Sequence, residues 1–391
     1  MRFIWWAAAW LAIILLFLAV DYKPQRDYYG SAGDIKLYQK YAAGLFNHPP
    51  QLPQEYPPLT ALLFVLPQLL APHSYMLVFG ALSGLATWLV VVLVDRENGQ
   101  GFLLLLYMLI SGFATLLFRF DSFVVLVTVG AFVLAQRHRW AWAQALLALG
   151  VGLKLYPALL MPIVALWAWQ TDWPHAHRRA LLSSMVGGAL VVITFGTMWL
   201  LARDQLQHML WYHSTRPLEI ESLGATLAWL SGPISSTYTF GSVNITTPLG
   251  PAIIKLLTAV NIVTVLLVYA LFARRRLGPA SAFALVLLFS IVTSKVFSTQ
   301  YMLWALPFVV LAGERRVLWL LIAVATAIVY PIAFLHFETT IGQSVPNWFS
   351  WDVAVRNSLW LIACAVGLWD WCRATASTQL ADAPRRLARV V

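Results

Sequence analysis

Charge is scarce in this chain. Only 11% of its 391 residues are Asp, Glu, Lys or Arg, while 60% are hydrophobic. A soluble domain carries about 25% charge, so a water-soluble globular protein is excluded. Cysteine is nearly absent. Cys364 and Cys372 lie eight residues apart, about 12 Å along a helix. A disulfide needs Cα atoms within about 7 Å, so the two do not pair within one helix. There is no cysteine–histidine metal spacing, no low-complexity tract, no clear internal repeat and no soluble domain. Strand-like alternation is missing from the apolar runs, which excludes a membrane β-barrel. No small-x-small cleavage site precedes Asp21, so residues 3–20 read as a retained first span rather than a signal peptide.

Apolar runs of bilayer-crossing length are abundant. Candidates fall near 3–20, 57–71, 74–94, 101–117, 122–136, 141–157, 158–170, 180–202, 251–273, 280–293, 302–313, 317–335 and 356–372. Charge decides how many cross. If 57–71 dips in and returns as a re-entrant hairpin, twelve crossings remain and both termini are cytoplasmic. Fifteen of the 26 basic residues then face the cytoplasm with six of the 16 acids, as the positive-inside rule requires. If 57–71 crosses, the later arginine clusters move outside. Its Tyr56-Pro57-Pro58 entry also suits a hairpin buried by protein. The net charge of +10 is explained by these clusters, so nucleic acid is not expected as a partner. The reading is an all-α polytopic membrane protein of about 12 spans, forming one domain over 1–391. It has a long first outer loop, 21–73, and a second, 203–250.

All six lysines fall on the outer side or near it, and the outer loops hold the unusual polar groups. Positions 34, 38, 41, 42 and 45 share one helical face, which predicts a helix along the membrane surface with Asp34 at the end of its buried stripe. Asp34 either caps that helix together with Ser31 or serves as a functional carboxylate. Glu55-Tyr56-Pro57-Pro58 forms a stiff entry to the hairpin, with Glu55 a possible ligand contact. Arg119 and Asp121 read as a structural ion pair or as a functional one. Lys154, before Leu155-Tyr156-Pro157, snorkels or meets an anionic head group, and snorkelling is the preferred reading. His213 and Arg216 suit a phosphate, the alternative being a solvated loop with local Arg–Glu pairs. Lys295, in Ser294–Tyr301, is a phosphate contact or part of a polar turn. Asn244-Ile245-Thr246 is a glycosylation sequon.

Cations to hold a phosphate, aromatic rings to stack on a sugar and a carboxylate to act as base together suit a lipid-phosphate substrate. The chain resembles the C-type integral-membrane glycosyltransferases, in particular the polyprenol-phosphate-mannose-dependent α-mannosyltransferases. The residues that carry the likeness are Gly33-Asp34…Tyr38…Tyr41, Glu55-Tyr56-Pro57-Pro58-Leu59, Arg119-x-Asp121, Lys154-x-Tyr156-Pro157, Arg216-Pro217…Glu221-Ser222 and Ser294-Lys295-x-x-Ser298-x-Gln300-Tyr301…Trp304.

The resemblance implies a GT-C-type fold in the plasma membrane with its site on the extracytoplasmic side. It also implies a polyprenyl-phosphate hexose donor, with mannose the expected sugar, and a lipid-linked glycan or envelope glycoconjugate as acceptor. Asp34 would deprotonate the acceptor for an inverting displacement. Lys154, Arg216, Lys295 and His213 would contact the donor phosphate. Tyr38, Glu55, Tyr56, Arg119, Asp121, Gln300 and Tyr301 would contact sugar or acceptor. No cofactor or metal is expected. Many relatives carry two adjacent acids in the first loop. Here Asp34 stands between Gly33 and Ile35, which matches the single-acid branch and leaves Asp27 as the alternative base. A flippase or transporter would show midplane charges or two related halves. A polymer ligase using a lipid diphosphate donor is the third reading.

Overall fold

A computed structural model describes residues 32–47, 50–112, 115–171, 175–313, 315–337 and 340–387. The expected first span 3–20, Asp27 and Ser31 lie outside these residues.

The chain forms two compact units. The first comprises the described residues of Met1–Ala158, with Ser184–Arg216 and Met302–Trp304. It begins with α1 (Ala32–Gly44) and α2 (Thr60–Leu70), followed by α3 (Tyr75–Asn98), α4 (Gly101–Gly112), α5 (Asp121–Gln136) and α6 (Trp140–Leu153). The second comprises Leu159–Ser183, Pro217–Tyr301 and Ala305–Val391. In chain order α7 (Met161–Thr171) is followed by α8 (Ala176–Leu201) and α9 (Arg203–Thr215), of which α9 belongs to the first unit. Then come α10 (Leu223–Leu230), strands β1 (Ser235–Thr239) and β2 (Ser242–Thr246), α11 (Gly250–Ala273), α12 (Pro279–Val292), α13 (Met302–Ala312), α14 (Arg316–Ala327), the short α15 (Phe334–Phe337) and α16 (Asn347–Leu387).

Local sequence sets the ends of these elements. Gly99 closes α3 in the left-handed conformation at φ 74°, its N–H donating to the Asp95 carbonyl at 2.8 Å. Pro279 opens α12, where a missing N–H costs nothing. Ser222 caps α10, its hydroxyl accepting from the Ala225 N–H at 3.1 Å.

Among the described residues, five helical segments are long and apolar enough to cross a bilayer: Pro72–Asn98, Ala176–Leu201, Gly250–Ala273, Arg316–Phe337 and Asn347–Arg373. Of their apolar windows, only 17% is buried in Ala176–Leu201 and 22% in Gly250–Ala273, against 50% in Pro72–Asn98. Exposed Leu, Ile and Val in such numbers need lipid to cover them, so this is an integral membrane protein. Six shorter apolar helices accompany these segments. One is α2, whose 11 residues rise about 16 Å, half the thickness of a hydrocarbon core.

The described residues are mostly helical, as the all-α expectation has it, with one small addition in 203–250: the β1–β2 hairpin, which pairs Ser235 with Thr246 and Thr239 with Ser242. Phe240 and Gly241 both have positive φ, 53° and 64°, as a two-residue hairpin turn of matching twist requires. The asparagine of the sequon belongs to the same hairpin. Asn244 is buried, and its amide nitrogen donates to Thr239 O at 2.6 Å, Thr239 Oγ1 at 3.0 Å and Ser242 O at 3.2 Å. That nitrogen is a structural donor of the hairpin.

Candidate active site

Helix α1 forms, with Tyr38 and Ala42 of the expected face buried, positions 34, 41 and 45 half-buried, and Ile35 buried in addition; Asp34 lies in the first turn. What covers the face differs from expectation. Tyr38 stacks on Phe64 at 4.3 Å and packs against Phe79 and Phe120, with centroids at 5.3 and 5.7 Å. The stripe therefore buries against protein rather than lipid. Offset and edge-on contacts of this kind each add about 0.5–1.5 kcal/mol beyond the area they bury.

The charged groups of this unit pair differently from the order in which the sequence presents them. Arg119 and Asp121 do not bond to each other. Arg119 reaches the Asp34 carboxylate instead, with both side chains about a quarter exposed. Asp121 opens α5 and is buried. Its Oδ1 accepts from Lys154 Nζ at 2.6 Å and from Trp304 Nε1 at 2.6 Å. Lys154 does not snorkel to solvent. Its ammonium lies 4.8 Å from the ring centroids of both Phe120 and Trp304. Trp304 in turn stacks on Tyr156 at 4.2 Å. The physical reason is the break in the helix after Leu153, where Lys154 is extended (φ −159°, ψ 143°). There the side chain finds a buried carboxylate, and an ammonium away from water is stable only beside such a partner.

The loop after α1 supplies a second cluster. The Tyr41 hydroxyl donates to Glu55 at 2.5 Å. His213 Nε2, on α9, donates to the Glu55 carbonyl at 3.0 Å. Burial pushes the Glu55 carboxyl above its ordinary value, opposed by the Tyr41 hydrogen bond and by the charges of His208 and Arg216. Burial raises the Tyr38, Tyr41 and Tyr56 hydroxyls too, so all three are protonated donors. Tyr56 meets Phe120 edge-on at 5.1 Å, which links this cluster to the Arg119–Asp121 turn. The geometry is locked from behind, where the Leu59 N–H donates to the Gly152 carbonyl at 2.9 Å. A Cβ on Gly152 would lie 2.4 Å from Leu59 Cδ1, so only glycine permits that approach. Arg216, at the end of α9, has its guanidinium 6.0 Å from the Tyr212 ring centroid.

Of the expected site residues, Asp34, Tyr38, Glu55, Tyr56, Arg119, Asp121, Lys154, His213 and Arg216 belong to the first unit. Lys295, Gln300 and Tyr301 belong to the second, where all three are half-buried. The solvated-loop alternative for 213–222 fails for its acids. Glu219 and Glu221 are buried within the second unit, where Glu221 bonds Arg356 at 2.9 Å. Arg356 is fully buried on α16. Sequence reasoning missed Arg356, and it gave Trp304 no role. Within an apolar run, a lone Arg or an indole N–H carries no sign of its partner.

A carboxylate about a quarter exposed and held by a guanidinium, beside protonated tyrosines and a packed aromatic wall, can bind a polar ring and take a proton from it. No curated protein matches the chain. The family model described as Glycosyltransferase family 87 matches residues 55–299, well over half of the sequence. The matched stretch includes Glu55, Arg119, Asp121, Lys154, Arg216 and Lys295, and the chain belongs to glycosyltransferase family 87.

Proposed function

We propose that this glycosyltransferase moves a hexose, with mannose the expected sugar, from a polyprenyl-phosphate donor to a lipid-linked glycan or another envelope glycoconjugate. The reaction takes place at the extracytoplasmic face of the plasma membrane, by a single inverting displacement. Asp34 takes the acceptor hydroxyl proton as the acceptor oxygen bonds to the anomeric carbon. The bond from that carbon to the phosphate oxygen breaks, and polyprenyl phosphate leaves with the electron pair. The observation that carries this reading is the Asp34–Arg119 pair. It sets a solvent-reachable carboxylate beside a guanidinium whose Nε is buried with no hydrogen-bond partner among the described residues.

Arg119 is paired with Asp34 before substrate arrives and offers a donor to the leaving phosphate. Arg216 and His213 are further phosphate contacts in the same unit, with Lys295 the candidate in the second. Lys154 keeps Asp121 as its counter-ion and supports the turn that carries Arg119. Tyr38, Tyr56 and Glu55 line the acceptor or sugar, with Gln300 and Tyr301 the candidates for that role in the second unit. Twelve crossings, cytoplasmic termini and a re-entrant 57–71 complete the proposal. The length of α2 supports the re-entrant reading.

The test is transfer by purified protein in lipid nanodiscs, supplied in turn with polyprenyl-phosphate mannose, polyprenyl-phosphate glucose, a polyprenyl-diphosphate sugar and a nucleotide sugar. Turnover with a lipid monophosphate hexose and not with the other donor classes supports the proposal. Turnover with the diphosphate or nucleotide donor alone overturns it.

A further inference from the structure

The second unit contains a buried polar framework around the segment that carries Lys295. Glu219 is 5% exposed, yet its carboxylate accepts two short hydrogen bonds, from the Phe297 N–H at 2.7 Å and the Ser298 hydroxyl at 2.6 Å. Its own N–H donates to the Lys295 carbonyl at 2.9 Å. One residue thus grips 295, 297 and 298, the stretch that follows the Lys295 side chain. The strip that carries Glu219 is itself fixed. Its neighbour Ile220 donates to Val243 O at 3.1 Å, and Ile245 donates to Leu218 O at 2.9 Å, an isolated antiparallel bridge that ties Glu219 to Asn244 of β2.

Two residues further on, Glu221 accepts from Thr299 Oγ1 at 3.3 Å and from Arg356 Nη1 at 2.9 Å. Arg356 also donates to the Glu221 carbonyl, and its guanidinium lies 4.1 Å from the Phe297 ring centroid. Asn357 completes the set through Thr226 at 2.9 Å. Apolar residues of similar size would pack this space without the desolvation cost of two carboxylates and a guanidinium. What such a network provides is a defined shape for the loop it holds.

We propose that Glu219, backed by the Glu221–Arg356 pair, is a positioning residue that holds Lys295–Thr299 in the conformation presenting the Lys295 ammonium to the donor phosphate. This rests on the reading of Lys295 as a phosphate contact. Glu219 holds the backbone and Ser298 of this loop and Glu221 ties Thr299 to Arg356, so their effect on the reaction passes through Lys295.

The experiment measures donor KM and kcat at saturating acceptor for Glu219→Gln, Ser298→Ala, Lys295→Met and the double variant Glu219→Gln/Lys295→Met. Polyprenyl-phosphate mannose in nanodiscs is the donor, and only variants that melt with the wild type are compared. Ser298→Ala removes one of the two carboxylate contacts from a half-buried site, and so tests the clamp even where Glu219→Gln does not fold. The expected result is a roughly tenfold rise in donor KM for Lys295→Met and for Glu219→Gln, the size of one charge-assisted hydrogen bond. A smaller rise is expected for Ser298→Ala, with kcat changed less than KM throughout. The double variant is expected to be no worse than Lys295→Met alone. Should Lys295→Met raise KM while Glu219→Gln and Ser298→Ala leave it unchanged, or should the double variant show the product of the two losses, the positioning role is overturned and the phosphate reading stands. An unchanged KM for Lys295→Met overturns both.

Discussion

Replacing Lys154 by Met leaves Asp121 buried without its cation. The Lys154 and Asp121 side chains are 17% and 1% exposed, so solvent screening is slight and the pair behaves as a buried one. Removing one member of such a pair costs about 3–5 kcal/mol. The Trp304 N–H remains on the same carboxylate oxygen at 2.6 Å, which places the expected loss at the lower end, about 3 kcal/mol. Asp121→Asn is expected to cost a similar amount, because the ammonium then faces only a neutral carbonyl between two rings. The double variant Lys154→Met/Asp121→Asn removes both charges. Its loss is expected to fall short of the sum of the singles by at least about 1.5 kcal/mol. The assay is denaturant unfolding in detergent micelles, followed by tryptophan fluorescence, as a complete double-mutant cycle. Single losses below about 1 kcal/mol with strict additivity would refute the buried pair and restore the snorkelling picture of Lys154.

Glu55 gives a pH prediction. Burial raises its folded value above the ordinary 4.5, so the folded chain holds this proton more tightly than the unfolded chain. Its contribution to stability is full below about pH 4.5 and is lost as pH rises through the raised folded value. The melting temperature of Glu55→Gln should therefore gain on that of the wild type as pH rises through this window. Parallel melting curves across it would show that Glu55 is not raised. Gly152→Ala places a Cβ 2.4 Å from Leu59 Cδ1 and is expected to destabilise by about 1–3 kcal/mol. Adding Leu59→Ala should recover part of that loss in thermal melts, and no recovery would place the strain elsewhere.

The sequence made the membrane class legible because lipid demands long apolar runs, and composition records them directly. It also drew Asp34, Arg119, Asp121 and Lys154 together as outer-face groups. It did not yield their pairing. Arg119 and Asp121 are two apart and invite one ion pair, but Asp121 opens α5 and turns toward Lys154 and Trp304, 33 and 183 residues away. Such partners depend on tertiary packing that helical periodicity does not record. The periodicity of α1 put Tyr38 and Ala42 on the buried face, missed Ile35, and could not say whether lipid or Phe64 lay against it. The hairpin did leave a signal, since the β-branched and aromatic residues of 235–246 flank Gly241 as strands flank a turn. Arg356 left none. It stands near the start of a long apolar helix, and only the fold shows that Glu221 waits for it.

The central claim is that Asp34 accepts the proton of the acceptor. Its most direct test is steady-state transfer by Asp34→Asn against wild type, with polyprenyl-phosphate mannose as donor and donor binding measured in parallel on the same nanodisc preparations. Asn retains the shape and a hydrogen-bond acceptor for Arg119 but cannot take the proton. A fall in kcat of about 10²–10⁴-fold with donor affinity within a few-fold of wild type is the predicted result. Near-normal kcat in Asp34→Asn would contradict the account.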